Sequence, residues 1–99
     1  MVKGIRLLLR GKVQEVGFRK YVFMHADLLN IKGYVRNLPD GTVEVVYIPT
    51  DPKKQEEFEK KVKRGPLLSR VDSVERTEVI LKEEPEGFEI RFSPRSSQG

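Results

Sequence analysis

An α+β sandwich, βαββαβ in order with an extra short C-terminal strand, is the fold the sequence predicts. Its two helices are expected on one face of a mainly antiparallel sheet. Three observations lead there. Hydrophobic periodicity switches between strand-like and helix-like along the chain, glycine and proline punctuate each switch, and 99 residues suffice for one compact domain with a single modest core. The domain is expected over residues 1–93, with a flexible polar tail at 94–99.

The elements follow in order. Ile5 to Lys12 is an apolar, partly β-branched run that reads as a first, largely buried strand. From Arg19 to Asn30 the period changes: Phe18, Val22, Ala26 and Leu29 share one helical face, with Tyr21, His25 and Leu28 beside it. Strand therefore gives way to helix across GKVQEVGF. KGYVRN is a short strand, LPDG carries turn chemistry and TVEVVYI nearly alternates, which together make a β-hairpin ended by Pro49, Asp51 and Pro52. Asp51 to Arg64 is a second helix, capped by Asp51, with Pro52 at its first position and Phe58 and Val62 on its apolar face. Gly65 and Pro66 stop it. Val71 to Leu81 is a fourth strand, Glu84 to Gly87 a loop and Phe88 to Phe92 a short fifth strand. This order is the split βαβ, or ferredoxin-like, arrangement. Such a fold hosts many unrelated functions, so function has to be argued from a site.

Composition excludes some chemistries. The chain has no cysteine, which removes disulfides, thiolate metal sites and cysteine nucleophiles. The lone His25 lies mid-helix and is expected to be a packing or surface residue, so no clustered metal-ligand set is visible. No stretch approaches the ~20 apolar residues of a membrane span, and the apolar run in MVKGIRLLLRGK is too short for a secretory signal. A cytoplasmic location with no membrane partner is the expectation. Lys and Arg number 19 against 15 Asp and Glu, a formal +4, which favours anionic partners without identifying one. Charged residues are 34% of the chain, with two Asn and three Gln, a balance that leans toward a thermophilic source.

The turn GKVQEVGFRK carries the most specific chemistry. The first backbone N–H groups of a helix have no intrahelical partner and lie at the positive end of its dipole, so they attract anions. Gly11 and Gly17 supply positive φ or close approach to a loop wrapped around an oxyanion. Arg19 adds a planar guanidinium able to grip two phosphate oxygens. These features describe a phosphate cradle.

GKVQEVGFR followed by GYVRNLPDGTVEV resembles the two signature segments of the acylphosphatase family, approximately G-x-V-Q-G-V-G-F-R and G-x-V-x-N-x-x-D-G-x-V. The resemblance continues through KRGPLLSRVDSV to GFEIRF. It implies metal-independent hydrolysis of acyl phosphates to carboxylate and inorganic phosphate, without a cofactor or a covalent intermediate. By the same resemblance the backbone amides of Gln14, Glu15, Val16, Gly17, Phe18 and Arg19 hold the phosphate, Arg19 clamps it and Asn37 positions the attacking water. Inorganic phosphate or sulfate is the expected competing anion, and a monomer is the expected state. Thr42 is a candidate brace for the hairpin near Asn37, with a plain strand threonine as the favoured alternative.

Glu15 departs from the pattern, which has glycine there. Positive φ at this position strains a residue with a Cβ, and a carboxylate beside phosphate repels it. The expectation is an exposed side chain and some loss of phosphate affinity. Two other classes compete with catalysis. An RNA-recognition module shares the strand order and a basic charge, but KGYVRNL lies on the second strand, and Tyr47 alone makes a poor stacking platform; no nucleic-acid partner is expected. A non-catalytic regulatory domain is the other alternative, with the helix KKQEEFEKKVKR as an interaction surface or, more simply, a solvated face.

Overall fold

A computed structural model describes residues 1–92; the tail expected at 94–99 lies outside the described residues, as does residue 93. The elements are β1 (Val2–Lys12), α1 (Phe18–Leu28), β2 (Gly33–Asn37), β3 (Val43–Tyr47), α2 (Pro52–Arg64), β4 (Arg70–Leu81) and β5 (Phe88–Arg91). The strands form one sheet in the order β4-β1-β3-β2-β5. All neighbours are antiparallel except β2 and β5, which run parallel. The ferredoxin-like α+β fold is therefore the observed one, and the extra strand sits at the β2 edge.

Boundaries differ from the sequence reading where tertiary pairing decides them. β1 begins at Val2 rather than Ile5 because β4 is long enough to pair Val2 with Leu81. The first helix ends at Leu28, not Asn30. Asn30 turns left-handed, with φ 56°, and the Asn30 and Ile31 N–H groups donate back to the carbonyls of Asp27 and Ala26 at 3.2 and 2.9 Å. That pair of bonds satisfies the last carbonyls and stops the helix. At α2 the Asp51 carboxylate accepts from the Lys54 N–H at 3.2 Å, with Pro52 in the first turn, as expected of a capped start.

Alternation along each strand buries one face under the helices. Ile5, Leu7 and Leu9 of β1, Val35 of β2, and Val43, Val45 and Tyr47 of β3 meet Phe18, Val22 and Ala26 of α1 and Phe58 and Val62 of α2. Tyr47 is fully buried there, its hydroxyl donating to Glu59 of α2, which also accepts from Arg76 of β4 at 3.0 Å. Tyr47 is thus a core residue with no surface on which a base could stack. Opposite, Glu44 of β3 holds Arg6 at 2.5 Å and Arg36 at 2.6 Å. Burial raises the Glu44 carboxyl's pKa, but the bonds from Arg6 and Arg36 outweigh it and leave the pKa lowered.

Gly11 has a packing role beside the one its sequence context suggested. A Cβ on it would lie 2.2 Å from the Arg70 carbonyl oxygen, at the point where the β1–β4 register shifts. Close strand packing at a bulge, with φ at 131°, requires glycine there.

Candidate active site

The site forms where β1 and β2 end and α1 begins. Beyond β1, the chain turns at Glu15, with φ 60°, and at Gly17, which is the N-cap of α1 with φ 77° and ψ 20°. A Cβ on Gly17 would meet nothing within 4 Å. Glycine is favoured there by the left-handed backbone alone. Gly17 also has no side chain to cap the helix, so no side-chain bond covers the first N–H groups of α1. Phe18, 1% exposed, anchors this end of the helix; burying such a ring contributes about 2–3 kcal/mol. Left-handed residues in a turn that opens a helix are the backbone ingredients of an anion-binding concavity.

Arg19 follows in the first turn of α1 and is half-buried. Its guanidinium carbon lies 5.0 Å from the centroid of the Phe92 ring, a cation–π contact that leaves the edge donors accessible. Among the described residues it forms no ion pair. Asn37 closes β2 opposite Val43, and alternation from Val35 places it on the helix-covered face, toward the start of α1.

A cleft of about 280 Å³ joins these parts. It is lined by Glu15 and Gly17 of the turn, Phe18, Arg19 and Lys20 of α1, Asn37 of β2, and the apolar residues Val13, Ile90 of β5 and Phe92 just beyond it. Of the residues singled out from the sequence, Glu15, Gly17, Phe18, Arg19 and Asn37 come together, whereas Gln14 and Val16 do not line the cleft. Glu15 is exposed, as expected for its side chain, while its backbone has adopted the left-handed conformation that glycine tolerates better.

Gln14 turns its side chain elsewhere. Its amide nitrogen donates to the Leu38 and Thr42 carbonyls, each at 2.8 Å. Thr42 braces the hairpin after all: it is 4% exposed, and its hydroxyl and N–H both donate to Asp40 Oδ1, at 2.6 and 3.1 Å. The bond from the Thr42 hydroxyl, then that from its N–H, lower the Asp40 carboxyl's pKa.

Sequence reasoning missed Ile90, Phe92 and the cleft-side position of Lys20. The first two reach the site because β5 adds parallel to β2, pairing Ile90 with Val35, and no local signal announces that neighbour. No group of three or more His, Cys, Asp or Glu side chains able to hold a metal ion occurs among the described residues. His25 packs edge-on against Tyr21 with ring centroids 4.6 Å apart; burial first, then Lys61, lower its pKa. Among the described residues, no helix is long and apolar enough to cross a membrane.

Known proteins resemble this chain in sequence and in fold. The acylphosphatase family model matches residues 5–90. The Acylphosphatase of Thermococcus kodakarensis is 47% identical over 90 residues, covering 89% of this chain and 93% of that one. The crystal structure of acylphosphatase from Bacillus subtilis superposes with a TM-score of 0.81 at 33% identity, covering 91% of this chain and 99% of that chain. The crystal structure of T. kodakarensis HypF also gives 0.81, at 31% identity, covering 94% of this chain but 12% of that one.

Proposed function

The chain belongs to the acylphosphatase family, and we propose that it hydrolyses small acyl phosphates with Arg19 as the phosphate clamp and Asn37 as the group that orients water. The observation that carries the assignment of roles is the shared cleft: a cationic fork, an uncapped helix start and a neutral amide line one cavity, although they come from two separate segments.

The turn from Glu15 to Gly17 and the first N–H groups of α1 cradle the phosphoryl oxygens, Arg19 neutralises their charge, and Lys20 adds a second cation at the rim. The acyl group lies along Ile90 and Phe92. Asn37 is neutral and holds water by hydrogen bonds rather than deprotonating it. Water oxygen bonds to phosphorus, the phosphorus–oxygen bond to the acyl group breaks with its electron pair leaving as carboxylate, and a phosphoryl oxygen takes the water's proton. Carboxylate is a good leaving group, so positioning and charge neutralisation suffice. The chemistry needs no metal, and a monomer in the cytoplasm suffices for it, since every assigned residue comes from one chain.

Phosphate release from acetyl phosphate tests the proposal, with EDTA present and with inorganic phosphate or sulfate as inhibitor. Competitive inhibition and EDTA-resistant turnover are expected. Turnover that is lost in EDTA and restored by a divalent ion would overturn the metal-free reading, and strictly noncompetitive inhibition would overturn the cradle.

A further inference from the structure

The phosphate cradle lies on the turn after β1 and Asn37 lies on β2, yet these strands are not neighbours: β3 stands between them in the sheet. The backbone ladder therefore connects the two halves of the site only indirectly. At the cleft end, one side chain connects them directly. Gln14 Nε2 carries two hydrogens and donates to two carbonyls, Leu38 and Thr42, at 2.8 Å each. Leu38 directly follows Asn37, and Thr42 directly precedes Val43, the strand partner of Asn37. The Thr42 carbonyl also receives the Leu38 N–H at 2.9 Å, so the carboxamide grips the closing hydrogen bond of the hairpin itself.

From this we propose that Gln14 is a positioning residue, a strut that sets the distance between the phosphate cradle and the water held by Asn37. The proposal rests on the roles given above to Arg19 and Asn37. In-line attack needs the water oxygen ~3–3.5 Å from phosphorus, and a displacement near 1 Å costs on the order of 10²-fold in rate. A strut that keeps the two segments in register therefore acts on kcat. It leaves phosphate affinity alone, because the cradle itself stays intact on its own turn.

The test is a double-mutant cycle on acetyl phosphate turnover, with phosphate Ki and Tm measured on each variant. Gln14→Met keeps the side chain's length and packing but removes both donors; Gln14→Ala is the second variant, and whichever folds carries the test. Expected in the otherwise unchanged protein is a kcat loss of about tenfold with phosphate Ki within about twofold, and in the Asn37→Ala background a further kcat loss of less than about twofold. A merely structural role would lower Tm and leave kcat of the folded variant unchanged, which overturns the proposal. Equal fractional losses in both backgrounds, or a matching rise in phosphate Ki, also overturn it while leaving Asn37's own role standing. If Asn37→Ala alone keeps full kcat, the assignment of Asn37 falls and the strut falls with it.

Discussion

Replacing Glu15 by glycine removes two things at once: a Cβ held at φ 60° and the negative charge of a residue that lines the cleft proposed to hold phosphate. Left-handed backbone costs a residue with a Cβ about 1–2 kcal/mol, of which glycine's greater freedom in the unfolded chain returns about 0.4–1. The net gain of roughly 0.5–1 kcal/mol corresponds to a Tm rise of about 2–6 °C for a domain of this size. For the charge, a carboxylate on the order of 7 Å from a bound dianion repels it by about 1 kcal/mol in water. With a Debye length near 30 Å at 0.01 M salt most of this survives, roughly a fivefold effect on phosphate Ki; at 0.5 M it shrinks to about 1.5-fold. Glu15→Gln separates the contributions, because it removes the charge and keeps the strained backbone. Thermal melts and phosphate inhibition at both salts are the assays. Glu15→Gly is expected to raise Tm and lower Ki at low salt, and Glu15→Gln to lower Ki alone. Unchanged Ki for Glu15→Gln at both salts refutes the repulsion, and an unchanged Tm for Glu15→Gly refutes the strain.

Tyr47 supplies a pH prediction. Burial, then the bond to Glu59, raise its phenol pKa well above the ordinary value, so the folded state keeps a proton that the unfolded state loses above about pH 10. Its stabilising contribution is complete below that pH and is lost as pH rises toward the folded pKa, at up to about 1.4 kcal/mol per pH unit. Urea melts between pH 9 and 11 are expected to show a shallower alkaline decline for Tyr47→Phe; an identical slope contradicts this. Phe92→Ala removes one apolar lining residue and the ring over Arg19, and is expected to raise KM for an aromatic acyl phosphate several-fold more than for acetyl phosphate. Equal changes for both substrates would show that the ring acts only through Arg19. Gly11→Ala forces a Cβ to 2.2 Å from the Arg70 carbonyl oxygen and is expected to cost roughly 2 kcal/mol or more in urea melts, with kcat/KM of the folded fraction unchanged. A matching loss of activity at unchanged stability would return Gly11 to the cradle.

Local chemistry made much of this molecule legible. The LPDG turn, the Asp51-Pro52 helix start and the change of period across GKVQEVGF each depend on residues close in sequence, and each element formed where they indicated. Residues whose roles depend on strand order were not legible. Phe92 reaches the cleft only because β5 docks parallel to β2, and Gln14 meets the hairpin across 24 and 28 residues of chain. Gly11 is instructive in the opposite sense: its place in a phosphate-loop motif hid a packing constraint imposed by β4. Tyr47 looked like an isolated strand aromatic, and its burial follows from α2 crossing above β3.

Steady-state hydrolysis of acetyl phosphate by the parent protein, Arg19→Ala and Asn37→Ala, with phosphate Ki measured for each, separates the roles proposed for the two residues. A clamp and a water-orienting amide fail differently. Arg19→Ala is expected to raise phosphate Ki by at least about 30-fold, roughly 2 kcal/mol of lost charge-assisted bonding. Asn37→Ala is expected to lower kcat about 100-fold while Ki stays within about twofold. Folded variants that keep the parent's kcat/KM and phosphate Ki would rule out both roles.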